Sequence, residues 1–178
     1  MSEDTTNTHA NNNNIRRYIT LSVLMERSPV DHPWKDYAWH CVGVVTASGE
    51  ENNEVTLIST KDQILLYRAG IVALRLHRGE TEGYKRNLSQ TTPSLFVVMC
   101  EGDENDELEI MPYAITVCPY EAESYAEDGE GSVENIPMPD DILNWVGSFV
   151  ERYHQDEVFI KRKRGPKKTD GSQWRSRL

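Results

Sequence analysis

The chain has 178 residues, 38% of them hydrophobic, with 19 Lys and Arg residues against 29 Asp and Glu residues. It has no apolar run near the length of about 18 residues that a membrane-spanning helix needs, and its polar N-terminus lacks the features of a secretory signal. These properties exclude a membrane span and predict a cytoplasmic protein.

The charge is divided unevenly along the chain. Residues 161–178 hold eight of the Lys and Arg residues and one Asp, so their net charge is +7, whereas residues 1–160 carry −17. Residues 1–14 contain a run of four Asn residues and no large apolar side chain after Met1. We therefore predict a disordered leader over 1–14, a single domain over 15–160 and a flexible basic tail over 161–178.

Strand signals dominate the first half of the chain. Ile19, Leu21, Val23 and Met25 alternate with other residues, which predicts a strand with one buried face. Residues 27–33 contain two prolines and are predicted to break it. Further strands are predicted over 34–45, 55–59, 63–67 and 71–76, with a break at 68–70.

The second half mixes strands and helices. Short helices are predicted over 80–88 and 120–127. A hairpin is predicted between 94–100 and 108–118, and residues 128–133 are predicted to form an acidic loop. After Pro139, apolar side chains recur every three or four residues, which predicts an amphipathic helix of about 15 residues: Ile142, Trp145, Val146, Phe149, Val150 and Tyr153.

This order of elements predicts an α+β fold. Short connections between consecutive strands favour a mainly antiparallel sheet of about six or seven strands, with two short helices and one long C-terminal amphipathic helix packed on it. Three widely separated cysteines, Cys41, Cys100 and Cys118, lie in apolar segments, which is typical of reduced core thiols.

No recognised catalytic or cofactor motif occurs in the sequence. The five histidines are scattered without metal-ligand spacing, and nucleophile-elbow, Walker and dinucleotide glycine patterns are absent. We therefore predict no catalytic residue, no metal site and no cofactor.

One polar cluster has the composition of an anion or ligand site. A strand end followed by a helix start supplies cations, carboxylates and a phenol: Arg75, His77, Arg78, Glu80, Glu82 and Tyr84. The alternative interpretation is an ion-pair network with acidic residues at a helix N-terminus.

A second cluster is aromatic and follows the proline-containing segment. Trp34, Tyr37 and Trp39 are candidates for a partner-binding surface. Trp34 and Trp39 have opposite parity, so in a straight strand one of them is expected to be exposed. The alternative is a corner of the core.

The basic tail is the third candidate. Lys161, Arg162, Lys163 and Arg164 are predicted to contact a partner. Nucleic acid is the less favoured ligand, because the acidic body repels phosphate at long range. A solvated terminus, or a tail folded back on the acidic body, is the alternative.

Several blocks resemble one bacterial family. They include residues 25–34, residues 76–84, Pro119-Tyr-Glu-Ala-Glu, and Phe159-Ile-Lys-Arg-Lys-Arg164. In combination they resemble the family known as domain of unknown function 3305, over residues 16 to about 164. The resemblance implies a gene neighbourhood of formate dehydrogenase components, and so an accessory or maturation role. It supplies no catalytic residues.

The sequence therefore predicts a non-catalytic accessory protein that binds another polypeptide, with a formate dehydrogenase component as the redox-enzyme partner that the resemblance implies. The alternatives are a small-molecule or cofactor-binding domain that uses the Arg75/His77/Arg78/Glu80 cluster, and nucleic-acid binding through the tail.

Overall fold

The architecture is α+β. The computed structural model describes residues 17–48, 53–104, 106–129 and 131–155. Within these residues, seven strands form two antiparallel sheets and three α-helices complete the fold. In chain order the elements are β1 (Tyr18–His32), β2 (Lys35–Thr46), β3 (Thr56–Lys61), β4 (Ile64–Arg75), α1 (Thr81–Leu88), β5 (Ser94–Glu101), β6 (Ile110–Thr116), α2 (Pro119–Asp128), β7 (Ser132–Pro137) and α3 (Asp140–Tyr153).

The single sheet predicted from the sequence is wrong. One sheet has the strand order β2-β1-β4-β3, and the other has the order β6-β5-β7. β4 lies against β6 and β2 lies against β7. Buried side chains of both sheets belong to one hydrophobic core, together with side chains of the helices.

β1 continues through the segment that the sequence predicts to be a break. Pro29 lies within β1 and pairs with Tyr37 of β2. β1 pairs with β4 only as far as Arg27. Proline is tolerated beyond that point because the strand has a single described neighbour and need not donate hydrogen bonds on both sides. The chain instead reverses in a turn at Pro33 and Trp34.

The break predicted at residues 68–70 is a bulge inside one strand, so the two predicted strands are a single strand, β4. Ala69 and Gly70 of β4 together lie opposite Val23 of β1. Gly70 has a φ of 129°, a conformation that glycine adopts at little cost. The glycine therefore distorts the pairing locally and β4 continues beyond it.

β7 is missing from the sequence-based prediction. The acidic loop predicted over residues 128–133 overlaps the start of this strand at Ser132, and Ile136 is the one buried residue in the strand. β7 is held by antiparallel pairing with β5. Its formation therefore depends on an apolar neighbour that lies more than 30 residues earlier in the chain.

Helices α1 and α3 pack against each other. A single 3₁₀ turn, Arg78–Glu80, precedes α1. α3 buries Ile142, Val146 and Phe149. The rings of Phe149 and Tyr84 meet edge to face with centroids 6.3 Å apart, so aromatic packing joins the two helices.

Asn87 fixes α1 to the second sheet. Its side-chain amide donates to the carbonyls of Ser94 (2.7 Å) and Val117 (2.8 Å), and its Oδ1 accepts from the Ser94 N–H (3.0 Å). Asn87 is only 3% exposed. A buried amide with all of these bonds made holds the helix in one position.

Two of the predicted segments are not among the described residues. The predicted leader over 1–14 and the predicted basic tail over 161–178 lie outside the described residues, and the single domain over 15–160 stays a prediction. None of the helices in the described ranges combines the length and apolarity needed to cross a membrane.

Candidate functional site

The turn between β1 and β2 presents an aromatic surface. Trp34 is 88% exposed, and its backbone N–H donates to His32 Nδ1 (3.2 Å). Trp34 is exposed because it lies in the turn itself, whereas Trp39 lies within β2 and is half-buried. One exposed tryptophan of the two is what their opposite parity predicts, although the turn, and not strand alternation, is the cause.

Tyr37 and Trp39 are held in place by Arg27 of β1. The Arg27 guanidinium carbon lies 4.2 Å from the Tyr37 ring centroid and 5.8 Å from that of Trp39. The Trp39 ring also contacts Tyr67, with centroids 5.6 Å apart. These cation–π and ring contacts hold the Tyr37 and Trp39 side chains in place.

An acidic loop faces these aromatic residues. Trp39 Nε1 donates to Glu109 Oε2 (3.3 Å). Two hydrogen bonds between Asp103 and Asp106 close a turn in the loop between β5 and β6. The Asp103 N–H donates to Asp106 Oδ2 (2.7 Å), and the Asp106 N–H donates to the Asp103 carbonyl (2.9 Å). The β1–β2 turn and the β5–β6 loop are far apart in sequence but form two sides of one surface.

An open groove of about 910 Å³ lies between these two segments, and we call it the tip groove. Trp34, Tyr37 and Trp39 line it, with Lys35 as its one described cation. Its described carboxylates are Asp36, Glu101, Asp103, Glu104, Asp106, Glu107 and Glu109. The sequence-based prediction did not assign these carboxylates to a site, although the run of acidic residues between two predicted strands indicated an acidic loop.

The polar cluster predicted around α1 is divided by the structure. Tyr84 is fully buried. Its hydroxyl donates to Glu80 Oε2 (2.8 Å) and accepts from the His77 N–H (3.0 Å). Burial raises the pKa of Tyr84 far above its usual range. Tyr84 and Glu80 are therefore bound to each other, and the phenol is not available to a ligand.

The cations of this cluster lie on the surface. Arg75, His77 and Arg78 line one shallow cavity of about 330 Å³. Arg78 and Glu82 also line a larger cavity of about 940 Å³ between the N-terminus of α1 and the C-terminus of α3. We call this cavity the basic pocket, and its remaining described walls are Gly79, Thr81, Lys85, Arg152, Tyr153, His154 and Gln155. Sequence reasoning missed the residues from α3, because nothing local indicates that the end of that helix meets α1.

All three cysteines are free thiols, with Cys41 and Cys118 buried and Cys100 half-buried. Burial raises the pKa of Cys41 to about 11 and also raises the pKa of Cys118. Such thiols are poor nucleophiles. Among the described residues, no group of three or more His, Cys, Asp or Glu side chains is arranged to hold a metal ion.

The basic residues of the tail, Lys161, Arg162, Lys163 and Arg164, lie outside the described residues. Their predicted contact with a partner therefore stays a prediction.

Comparison with known proteins identifies a family. A family model described as "Protein of unknown function (DUF3305)" matches residues 20–164. Neither the curated proteins nor the solved structures include a match to this chain.

Proposed function

The chain belongs to the DUF3305 family of proteins of unknown function, and we propose that it acts by binding another polypeptide in the tip groove. The observation that carries this proposal is Trp34, a large aromatic side chain that is 88% exposed at the mouth of an open groove. Exposed tryptophans rimmed by polar residues are typical of the energetically dominant positions in protein interfaces.

The aromatic side chains supply buried area at low entropic cost. Tyr37 and Trp39 are already held by Arg27, so little side-chain freedom is lost when a partner covers them. Trp34 adds an anchor that a pocket on the partner can receive. Covering one such side chain contributes roughly 1.5–3 kcal/mol.

The charge of the groove indicates the chemistry of the partner. Seven described carboxylates against one lysine line the groove, so its field attracts a segment rich in lysine or arginine. We propose that the partner segment is cationic and carries a pocket or apolar patch for Trp34. The open shape of the groove favours binding of a polypeptide over catalysis.

The identity of the partner is a further step. The family resemblance implies a formate dehydrogenase component, and we propose such a redox-enzyme subunit as the polypeptide that binds here. The predicted contribution of Lys161, Arg162, Lys163 and Arg164 is electrostatic steering toward acidic parts of the same partner.

A capture experiment tests the proposal. The tagged full chain is used to isolate partners from the organism that encodes it, and the stoichiometric partner is then purified and titrated by calorimetry. We expect Trp34→Ala to weaken binding at least about tenfold, which corresponds to about 1.4 kcal/mol. Because Trp34 is exposed, we expect its replacement to change the free energy of unfolding by less than about 0.5 kcal/mol.

Tyr113→Ala is the matched control. Tyr113 is also an exposed aromatic residue, 65% exposed on β6, and it is not among the residues that line the tip groove. Its replacement should leave the dissociation constant unchanged. Equal binding by wild-type protein and Trp34→Ala would refute the proposed role of the groove.

A further inference from the structure

The basic pocket concentrates cations on a chain that is acidic overall. The protein has a net charge of −10 at pH 7, yet Arg78, Lys85 and Arg152 line this pocket with Glu82 as its one described carboxylate. An acidic protein repels anions at long range, so anion binding requires a local site of this kind.

The two arginines lie beside an aromatic ring, and no described carboxylate pairs with either of them. The guanidinium carbon of Arg78 lies 4.3 Å from the Tyr153 ring centroid, and that of Arg152 lies 5.7 Å from it. Within the described ranges, neither guanidinium forms a salt bridge. Both guanidinium groups therefore lie beside the same aromatic ring, a contact that leaves their hydrogen-bond donors available to a ligand.

The third cation, Lys85, contacts the residue that follows α3. Lys85 Nζ lies 3.3 Å from His154 Nε2, and His154 Nδ1 lies 3.2 Å from Thr81 Oγ1. Glu82 Oε2 lies 3.5 Å from His154 Nε2, so this carboxylate is directed to the histidine. The histidine thus connects the start of α1 to the end of α3 and fixes the wall of the pocket that carries Lys85.

From this geometry we propose that the basic pocket binds a small molecule through a multiply charged oxyanion, of which a phosphoryl group is the type. Arginine forks match the oxygens of such a group in paired hydrogen bonds, and a lysine adds a point charge. The first turn of α1 begins at Thr81, which adds a favourable dipole for negative charge.

This site is independent of the proposed polypeptide binding. Arg75 pairs with Tyr18 at the start of β1, and Arg78 of the basic pocket follows Arg75 closely in the chain. Trp34 of the tip groove follows His32, the last residue of β1. A strand of 15 residues is about 45–50 Å long, so the two sites lie at opposite ends of it.

Titration of the full chain with pyrophosphate tests the proposal by calorimetry, at constant ionic strength maintained with sodium chloride. We expect saturable binding, and we expect Arg78→Gln and Arg152→Gln each to weaken it at least about tenfold. Lys85→Gln is a third variant, which keeps the test informative if one arginine replacement perturbs folding.

Arg86→Gln is the matched control. Arg86 also lies on α1, but its guanidinium is over the Tyr120 ring, 5.8 Å from the centroid, and it does not line the basic pocket. Its replacement should leave the dissociation constant unchanged. Absence of saturable binding would overturn the proposal, and so would equal weakening by Arg86→Gln, because that result indicates non-specific charge attraction.

Discussion

The tip groove and the basic pocket differ in both charge and mechanical support. The tip groove is acidic and is lined by a turn and a loop, with Trp34 almost fully exposed. The basic pocket is cationic and is built on α1 and α3, whose facing surfaces bury Tyr84 and Phe149. A surface on a turn tolerates substitution, whereas a pocket on packed helices is changed only with a cost in stability.

The support beneath the basic pocket is polar as well as apolar. Asn87 binds the ends of β5 and β6 to α1, and Glu80 binds the Tyr84 hydroxyl. Glu134 of β7 makes the corresponding link on β2, where its Oε2 accepts from the Cys41 N–H (2.7 Å) and its Oε1 lies 3.1 Å from His40 Nδ1. Links of this kind give the fold a defined arrangement of its two sheets.

The largest effect is expected at Asn87. Asn87→Leu removes three hydrogen bonds and leaves the Ser94 N–H and two carbonyls buried without their partner, so we expect a loss of about 3 kcal/mol in the free energy of unfolding. Asn144→Leu, at an exposed position of α3, should change it by less than about 0.5 kcal/mol. Urea denaturation of both variants measures the difference, and similar midpoints would show that the base of the basic pocket is not rigid.

The two helical glycines provide the second test. A Cβ at Gly83 would lie 2.5 Å from Cys118 Sγ and 3.2 Å from Tyr120 Cδ2, so Gly83→Ala is expected to force α1 away from α2 and cost about 1–3 kcal/mol. Gly147 of α3 has no atom within 4 Å of the same position. Gly147→Ala is therefore expected to stabilise the protein by about 0.5–1 kcal/mol.

Thermal denaturation is expected to show a lower melting temperature for Gly83→Ala and a higher melting temperature for Gly147→Ala than for the wild-type protein. Equal and small shifts at both positions would contradict the close contact between α1 and α2. Loss of pyrophosphate binding in Gly83→Ala together with retained binding in Gly147→Ala would connect this contact to the shape of the basic pocket.

The smallest effect concerns β2, in which Cys41 and Val44 are buried although both ends of the strand are exposed. Burial raises the pKa of Cys41 to about 11 from its usual value of 9.0. Below pH 9 the thiolate fraction is then about a hundredfold lower than for an unperturbed thiol, and alkylation by iodoacetamide should slow accordingly. Since the native state keeps this proton longer than the unfolded chain, stability is expected to fall as pH rises from about 9 to 11.

Mass spectrometry of each alkylated cysteine measures this expectation, and Cys41→Ala serves as the control for the pH dependence of unfolding. Rapid alkylation of Cys41 in the native protein at pH 8 would show that β2 opens around Cys41. In that case the contrast between the exposed tip and the buried middle of the strand would not hold.

Local patterns were sufficient for many elements. The alternation from Ile19 to Met25 predicts part of β1, and the helix predicted over residues 80–88 corresponds to α1, Thr81–Leu88. The hairpin of β5 and β6 follows from two apolar runs joined by an acidic turn, and pairing of Val97 with Ile115 confirms it. These features depend on residues a few positions apart, so the chain encodes them directly.

The errors have a common cause. Pro29 was compatible with β1 because only one described strand pairs there, and Gly70 was compatible with β4 because a bulge accommodates its φ. β7 needed the edge of β5. In each case, pairing with other strands decided whether the segment formed a strand. The propensities of single residues do not contain that information.

By itself, the sequence determined the uneven charge, the helices and most strands, the absence of familiar catalytic motifs and the aromatic cluster at Trp34, Tyr37 and Trp39. Only the tertiary structure placed an acidic loop opposite those aromatics and brought Arg152 and Tyr153 to Arg78. The physical reason is range: periodicity and capping act within one element, whereas a groove or pocket forms where separate elements pack to bury a shared core.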